Sequence, residues 1–124
     1  MDIGFAPFAT QRLSAVAQSA PQISNFFLPA RTTVSDRIGA PADTPLVVAN
    51  SDDPASMKAL AESARVVLTT VGPYQLYGEP LLKACVEAGT DYADLCGEPA
   101  WMRELIDLHH EAATKSGARI TFSA

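Results

Sequence analysis

The sequence predicts an α/β fold: a parallel sheet of short strands with helices on its faces. Two observations carry that prediction. From Pro45 onward, short and largely apolar runs alternate with stretches whose apolar residues recur at helical spacing. Turn and cap residues sit at almost every junction between them, which gives β-α-β-α-β-α-β over residues 45–124. Strands alternating with helices imply parallel pairing through right-handed crossovers.

The reference point is Val66–Thr70, a β-branched and apolar run that stops at Val71-Gly72-Pro73 and hands over to a helix. Upstream, Leu46–Asn50 reads as a short buried strand. Ser51-Asp52-Asp53-Pro54 then starts a helix, with Asp53 at the N-cap and Pro54 at the first helical position, where a missing N–H costs nothing. That helix runs to about Ser63, with Met57, Leu60 and Ala61 inward. After the Gly72-Pro73 turn a helix is expected from Gly78 or Glu79, burying Leu81, Leu82, Cys85 and Val86 and stopping at Gly89. Asp91–Leu95 is a shorter, more polar strand. Gly97-Glu98-Pro99 opens the longest helix, which runs to about Lys115 and closes at Gly117. Its core stripe is expected to be Trp101, Leu105, Leu108 and Ala112, with Arg103, Asp107 and Glu111 facing water. Ala118–Phe122 is the last strand.

Residues 1–44 form an irregular or partly helical N-terminal segment ahead of the domain at 45–124. Thr10–Ser19 reads as a short amphipathic helix with Leu13, Val16 and Ala17 on one face. Asp36–Gly39 reads as a last helical turn, and Phe26-Phe27-Leu28 as an apolar knot.

Composition narrows the function. A chain of 124 residues with 48% hydrophobic content is long enough for one domain and holds no run long enough to span a bilayer. A net charge of −5 argues against a nucleic-acid partner, which calls for basic patches. The N-terminal residues lack the charged and apolar pattern of a secretory signal. Cys85 and Cys96 stand in no metal or redox spacing, so they are expected as reduced thiols and the location as cytoplasmic.

Ligands of such sheets bind outside the carboxyl ends of the strands. At Thr69, Thr70, Val71, Gly72 and Pro73, the glycine permits close backbone approach and the hydroxyls can bond a ribose or phosphate. At Asn50, Ser51 and Asp52, a polar side chain just past the strand can meet an adenine edge. The carboxylates Asp91, Asp94 and Glu98 are candidates for acid–base work, or for capping. Tyr74 and Tyr77 either shield a bound ring or pack under the loop. His109 and His110 are adjacent, point about 100° apart on a helix and cannot chelate one metal as a pair. No glycine-rich phosphate loop precedes these strands. Gly4 and Gly39, the only glycines before Gly72, lie in no such motif.

Three stretches resemble the saccharopine dehydrogenase-like oxidoreductases, which include the trans-acting enoyl reductases. They are residues 45–56, residues 66–80 with their Val-Gly-Pro-Tyr sequence, and residues 85–98 with Tyr-x-Asp-x-x-Gly-Glu. The resemblance runs from about Asp36 to the end. It implies an NAD(P)-binding Rossmann domain whose third to sixth strands are Leu46–Asn50, Val66–Thr70, Tyr92–Leu95 and Arg119–Ser123. By the same resemblance Asn50, Ser51 and Asp52 lie near the adenine, and Thr69–Pro73 near the nicotinamide ribose, of NAD or NADP.

The family's glycine loop and first two strands have no match in residues 1–35, and its substrate domain is absent. The expectation is therefore a partial Rossmann-like domain, inactive alone and weak in binding its dinucleotide. The alternative is a non-catalytic binding or oligomerisation module. In the strand order 3-2-1-4-5-6 the missing strands lie between Leu46–Asn50 and Val66–Thr70. The first of these needs a substitute neighbour. The second exposes an apolar edge that can pair with another copy.

Overall fold

The computed structural model describes residues 15–18 and 46–124. The elements are β1 (Ala15–Gln18), β2 (Leu46–Ala49), α1 (Pro54–Glu62), β3 (Val66–Thr69), α2 (Tyr74–Ala88), β4 (Asp91–Asp94), α3 (Pro99–Ser116) and β5 (Ile120–Thr121). Every pairing among the described strands is parallel. β1 pairs with β2 in a two-stranded sheet, and β3, β4 and β5 form a second sheet in that order.

β1 corrects the expected helix over Thr10–Ser19. Ala15–Gln18 is a strand, in register with Leu46–Ala49. A ten-residue helix is marginal on its own, and periodicity over so short a run cannot decide against a partner strand. β1 is the substitute neighbour that β2 needs. Phe26-Phe27-Leu28 and Asp36–Gly39 lie outside the described residues.

Side chains on β3 and β4 alternate between two environments, as the period of two dictates. Val67 and Thr69, with Tyr92 and Asp94 beside them, are buried. Val66 and Leu68 on the opposite face are 45% and 55% exposed. The described helices thus cover one face of this sheet. The steps from β3 to β4 and from β4 to β5 run in one direction, and right-handed crossovers then put α2 and α3 on the same side. α1 packs on α2 and α2 on α3. The core between helices and sheet contains Met57, Leu60, Val67, Leu81, Leu82, Val86, Tyr92, Trp101 and Leu105.

α1 begins as the sequence predicts. Asp53 accepts a hydrogen bond from the Ala55 N–H at 3.0 Å, and Met57, Leu60 and Ala61 are buried. Gly89 and Gly117 end α2 and α3 in the left-handed conformation, at φ +70° and +83°. The Thr90 hydroxyl, just before β4, donates to the Ala61 carbonyl at 2.8 Å and so ties that strand to the end of α1.

Two helix details differ from expectation. α2 starts at Tyr74 rather than at Gly78 or Glu79, and Pro80 lies inside it. The α3 stripe is Trp101, Leu105 and Ala113, with His109 half-buried between them, while Leu108 is 60% exposed and Ala112 is exposed. The buried line follows i, i+4, i+8 and i+12. Leu108, at i+7 from Trp101, is carried off the contact face. Arg103 and Asp107 form an exposed ion pair, as their spacing suggests. Among the described residues no helix is long and apolar enough to cross a membrane.

Candidate functional site

At the end of β2, the Asn50 backbone N–H donates to Ser56 Oγ at 3.0 Å. Asn50 Oδ1 accepts from the Asp52 N–H at 3.0 Å, and its carbonyl accepts from Asp53 at 3.1 Å. Asn50 therefore shapes its own loop with the side-chain oxygen that the sequence assigns to a ligand. Ser51 is buried at 7% exposure, and Asp52 is exposed.

At the end of β3 the two threonines part company. Thr69 is 4% exposed, and its hydroxyl accepts from the Val71 N–H at 3.3 Å. Thr70 is exposed, as are Gly72 and Pro73, while Val71 is half-buried. The Gly72-Pro73 peptide is cis. The nearest neighbours of a Cβ built on Gly72 would be ring carbons of Tyr74 at 3.6 Å, an ordinary contact distance. What the turn offers a ligand is the Thr70 hydroxyl and the bare backbone at Gly72. β2 and β3 belong to different sheets, so the Asn50–Asp52 and Thr69–Pro73 groups sit on the ends of strands that are not neighbours in one ladder.

β4 and the residues after it organise this end of the sheet. Tyr92, Asp94, Cys96 and Glu98 follow a period of two, and each turns toward the protein. The Tyr92 hydroxyl donates to Asp94 Oδ2 at 2.9 Å. Asp94 is fully buried, and its Oδ1 accepts from Cys96 N–H at 2.9 Å and Ser123 N–H at 3.0 Å. Cys96 Sγ accepts from the Glu98 N–H at 3.3 Å. Glu98 then reaches back across the sheet: Oε1 accepts from the Tyr74 N–H at 2.9 Å and Oε2 from the Gln75 N–H at 3.0 Å. Two of the unpaired donors at the start of α2 are thereby satisfied by a charged group. This is why α2 begins at Tyr74.

Tyr74 packs under the loop. Its ring lies 5.8 Å from that of Trp101. Its hydroxyl donates to the Thr69 carbonyl at 3.2 Å and accepts from the Leu95 N–H at 3.3 Å, bridging the ends of β3 and β4. Burial is the main cause that pushes the Tyr74 and Tyr92 phenols above their ordinary range, with the nearby Asp94 carboxylate adding to it. Both stay protonated and act as fixed donors. Burial also raises the Cys96 thiol and pushes that of Cys85 up to about 12, and both cysteines are buried and free of any disulfide.

The three candidate carboxylates all have structural partners. Asp91 pairs with Arg119, at the amino-terminal end of β4. Asp94 is the buried hub, and Glu98 caps the helix that precedes it in the chain rather than its own. His109 lies at the core margin with Nε2 3.8 Å from Glu79 Oε1 and without a hydrogen-bond partner among the described residues, and His110 is exposed. The Glu98 clamp escaped the sequence reading. The signal that pointed to it was the unbroken alternation from Tyr92 to Glu98 past the end of the strand.

The capping groups bear directly on a dinucleotide. A diphosphate is held by free N–H groups at a helix start. Here α1 begins on the Asp53 carboxylate and α2 on that of Glu98, and the first residue of α3 is Pro99, which has no N–H. None of the three described helix starts offers a full set of free N–H groups to such a diphosphate.

Comparison with known proteins points to one group. The chain is 53% identical over 91 residues to the trans-acting enoyl reductase of Mycobacterium ulcerans (strain Agy99), covering 73% of this chain and 22% of that protein. Against the trans-acting enoyl reductase of Mycobacterium leprae (strain TN) the identity is 45% over 113 residues, or 90% of this chain and 25% of the relative. That of Mycobacterium tuberculosis (strain ATCC 25618 / H37Rv) is 56% identical over 79 residues, covering 64% and 19%. The chain is similar to part of the trans-acting enoyl reductases. It spans about a quarter or less of the length of these relatives. No family model and no solved structure matches.

Proposed function

We propose that this chain is part of the NAD(P)-binding, Rossmann-like unit of a saccharopine dehydrogenase-like oxidoreductase of the trans-acting enoyl reductase kind. The observation that carries the reading is the 45–56% identity to proteins of that name. The geometry supports the placement of the site. A turn with an exposed hydroxyl lies at the carboxyl end of a parallel strand, where such sheets take their ligands.

In this reading Thr70, Val71, Gly72 and Pro73 face the nicotinamide ribose, with Thr69 holding the turn from within. Asn50, Ser51 and Asp52 lie on the adenine side. The cofactor, NADH or NADPH, supplies the hydride that the whole protein delivers to its substrate. The chain alone binds the dinucleotide weakly and performs no reduction, since two of its described helix starts carry carboxylates and the third opens on Pro99, which has no N–H. Its location is cytoplasmic.

Calorimetry with NADH and NADPH, together with amide chemical shifts at millimolar cofactor, tests this. The expected result is affinity weaker than micromolar, with shifts centred on Thr70–Gly72 that disappear in Gly72→Val. Micromolar binding, or shifts confined to other parts of the chain, would sink it.

A second reading is favoured by the exposure of Val66 and Leu68 on β3, an edge strand in its sheet. In that reading the chain is a non-catalytic module that associates with a second copy through this edge. A discrete dimer in sedimentation, with no shift on adding either dinucleotide, would favour it.

A further inference from the structure

We propose that Glu98 is the positioning residue for the Thr69–Pro73 turn. It sets the shape of that turn by fixing where α2 begins. The inference rests on the reading of this turn as the wall that faces the cofactor.

The local sequence does not settle the structure of residues 74–79. Gly78 weakens the helix, and Pro80 deprives it of one interior hydrogen bond, so the segment between Pro73 and Pro80 has little helical preference of its own. It is nonetheless helical from Tyr74. The added element is the Glu98 carboxylate, with one oxygen on each of the first two N–H groups.

Glu98 is itself held from both sides. Its N–H donates to Cys96 Sγ at 3.3 Å, and its carbonyl accepts from the Met102 N–H at 3.0 Å in the first turn of α3. The carboxylate therefore approaches α2 from a fixed frame. With Tyr74 placed by this clamp, its hydroxyl reaches both the Thr69 carbonyl and the Leu95 N–H, and its ring lies against Gly72. Every residue of the turn then lies between two fixed ends, Thr69 on β3 and Tyr74 on α2. Glu98 touches the backbone of α2 and acts on a ligand only through the turn.

The test uses the 124-residue chain as Glu98→Ala and Glu98→Gln. The glutamine keeps one acceptor oxygen and removes the charge, so it separates geometry from electrostatics. Amide exchange at Tyr74 and Gln75 reads the clamp. A titration with NADPH, followed by the amide shifts of Thr70–Gly72, reads the wall. In Glu98→Ala, exchange is expected to quicken about ten-fold, the usual scale of a lost helix cap, and the NADPH dissociation constant to rise by a similar factor. Glu98→Gln is expected to recover most of both, and formate to restore the Tyr74 and Gln75 shifts in Glu98→Ala alone. Unchanged exchange in Glu98→Ala overturns the positioning role. Faster exchange with unchanged NADPH affinity leaves the clamp standing and overturns the reading of the turn as a cofactor wall.

Discussion

The Tyr92 hydroxyl donates to Asp94 Oδ2 at 2.9 Å, between side chains two positions apart on one strand. The other Asp94 oxygen accepts from the backbone of Cys96 and of Ser123, which joins the ends of β4 and β5. A fully buried carboxylate with three donors is costly to delete, because each donor is left without a partner.

Asp94→Ala is therefore expected to destabilise the fold by on the order of 3–5 kcal/mol. Asp94→Asn, which keeps the oxygen facing Cys96 and Ser123, should lose about half of that or less. Urea titrations followed by the fluorescence of Trp101, the chain's single tryptophan, measure both. Equal midpoints for the alanine variant and the native chain would contradict the hub role.

Gly78 lies where α2 meets α3. A Cβ built there would fall 2.7 Å from two carbons of the Trp101 ring. Alanine raises helix propensity by about 1 kcal/mol, but displacing a packed ring costs about 1–3 kcal/mol. Gly78→Ala is expected to be less stable by a net of up to about 2 kcal/mol, with a shifted tryptophan emission. A variant more stable than the native chain would show that the ring moves freely.

Asp91 is held below the ordinary carboxylate range, chiefly by its hydrogen bonds to the Arg119 side chain. The folded chain thus binds this proton more weakly than the unfolded one. The resulting stability is fully present above the unfolded value, about 3.9, and is lost as pH falls through the lower folded value. The stability difference between the native chain and Asp91→Asn should shrink steadily below about pH 4. A difference that stays constant on acidification would rule this out.

Both cysteines are buried, and burial raises both thiols, Cys85 to about 12. Few thiolates exist near neutral pH, and reagents have little access to them. Alkylation by iodoacetamide should be slow in the folded chain and track unfolding as urea is raised. Rapid labelling of either residue without denaturant would show that its surroundings open in the native state.

Most of residues 46–124 was legible because local chemistry there agrees with the final packing. The strand beginning at Leu46 ends one residue before Asn50, Asp53 caps α1, and Gly89 and Gly117 stop their helices where the sequence places them. The start of α2 was not legible, since the group that decides it lies 24 residues away in Glu98. Nor was β1 in Thr10–Ser19, where a parallel partner some thirty residues on outweighs a weak helical pattern. Leu108 and Ala112 were misplaced by a small drift in phase along a long helix. At the candidate site Thr70, Gly72 and Pro73 are exposed, whereas the acceptor of Asn50 and the hydroxyl of Thr69 serve the protein's own backbone, through local hydrogen bonds that residue type alone does not specify.

The alternation of Tyr92, Asp94, Cys96 and Glu98 also fixes how β4 can be threaded. Sliding the strand by one residue would turn all four outward and bring Asp91, Ala93, Leu95 and Gly97 in their place. An aspartate would then replace the phenol in the core, and a glycine would stand where the Glu98 carboxylate reaches α2. Four consecutive inward positions penalise that slip together. A strand this short, with few ladder bonds to align it, thus has only one workable threading.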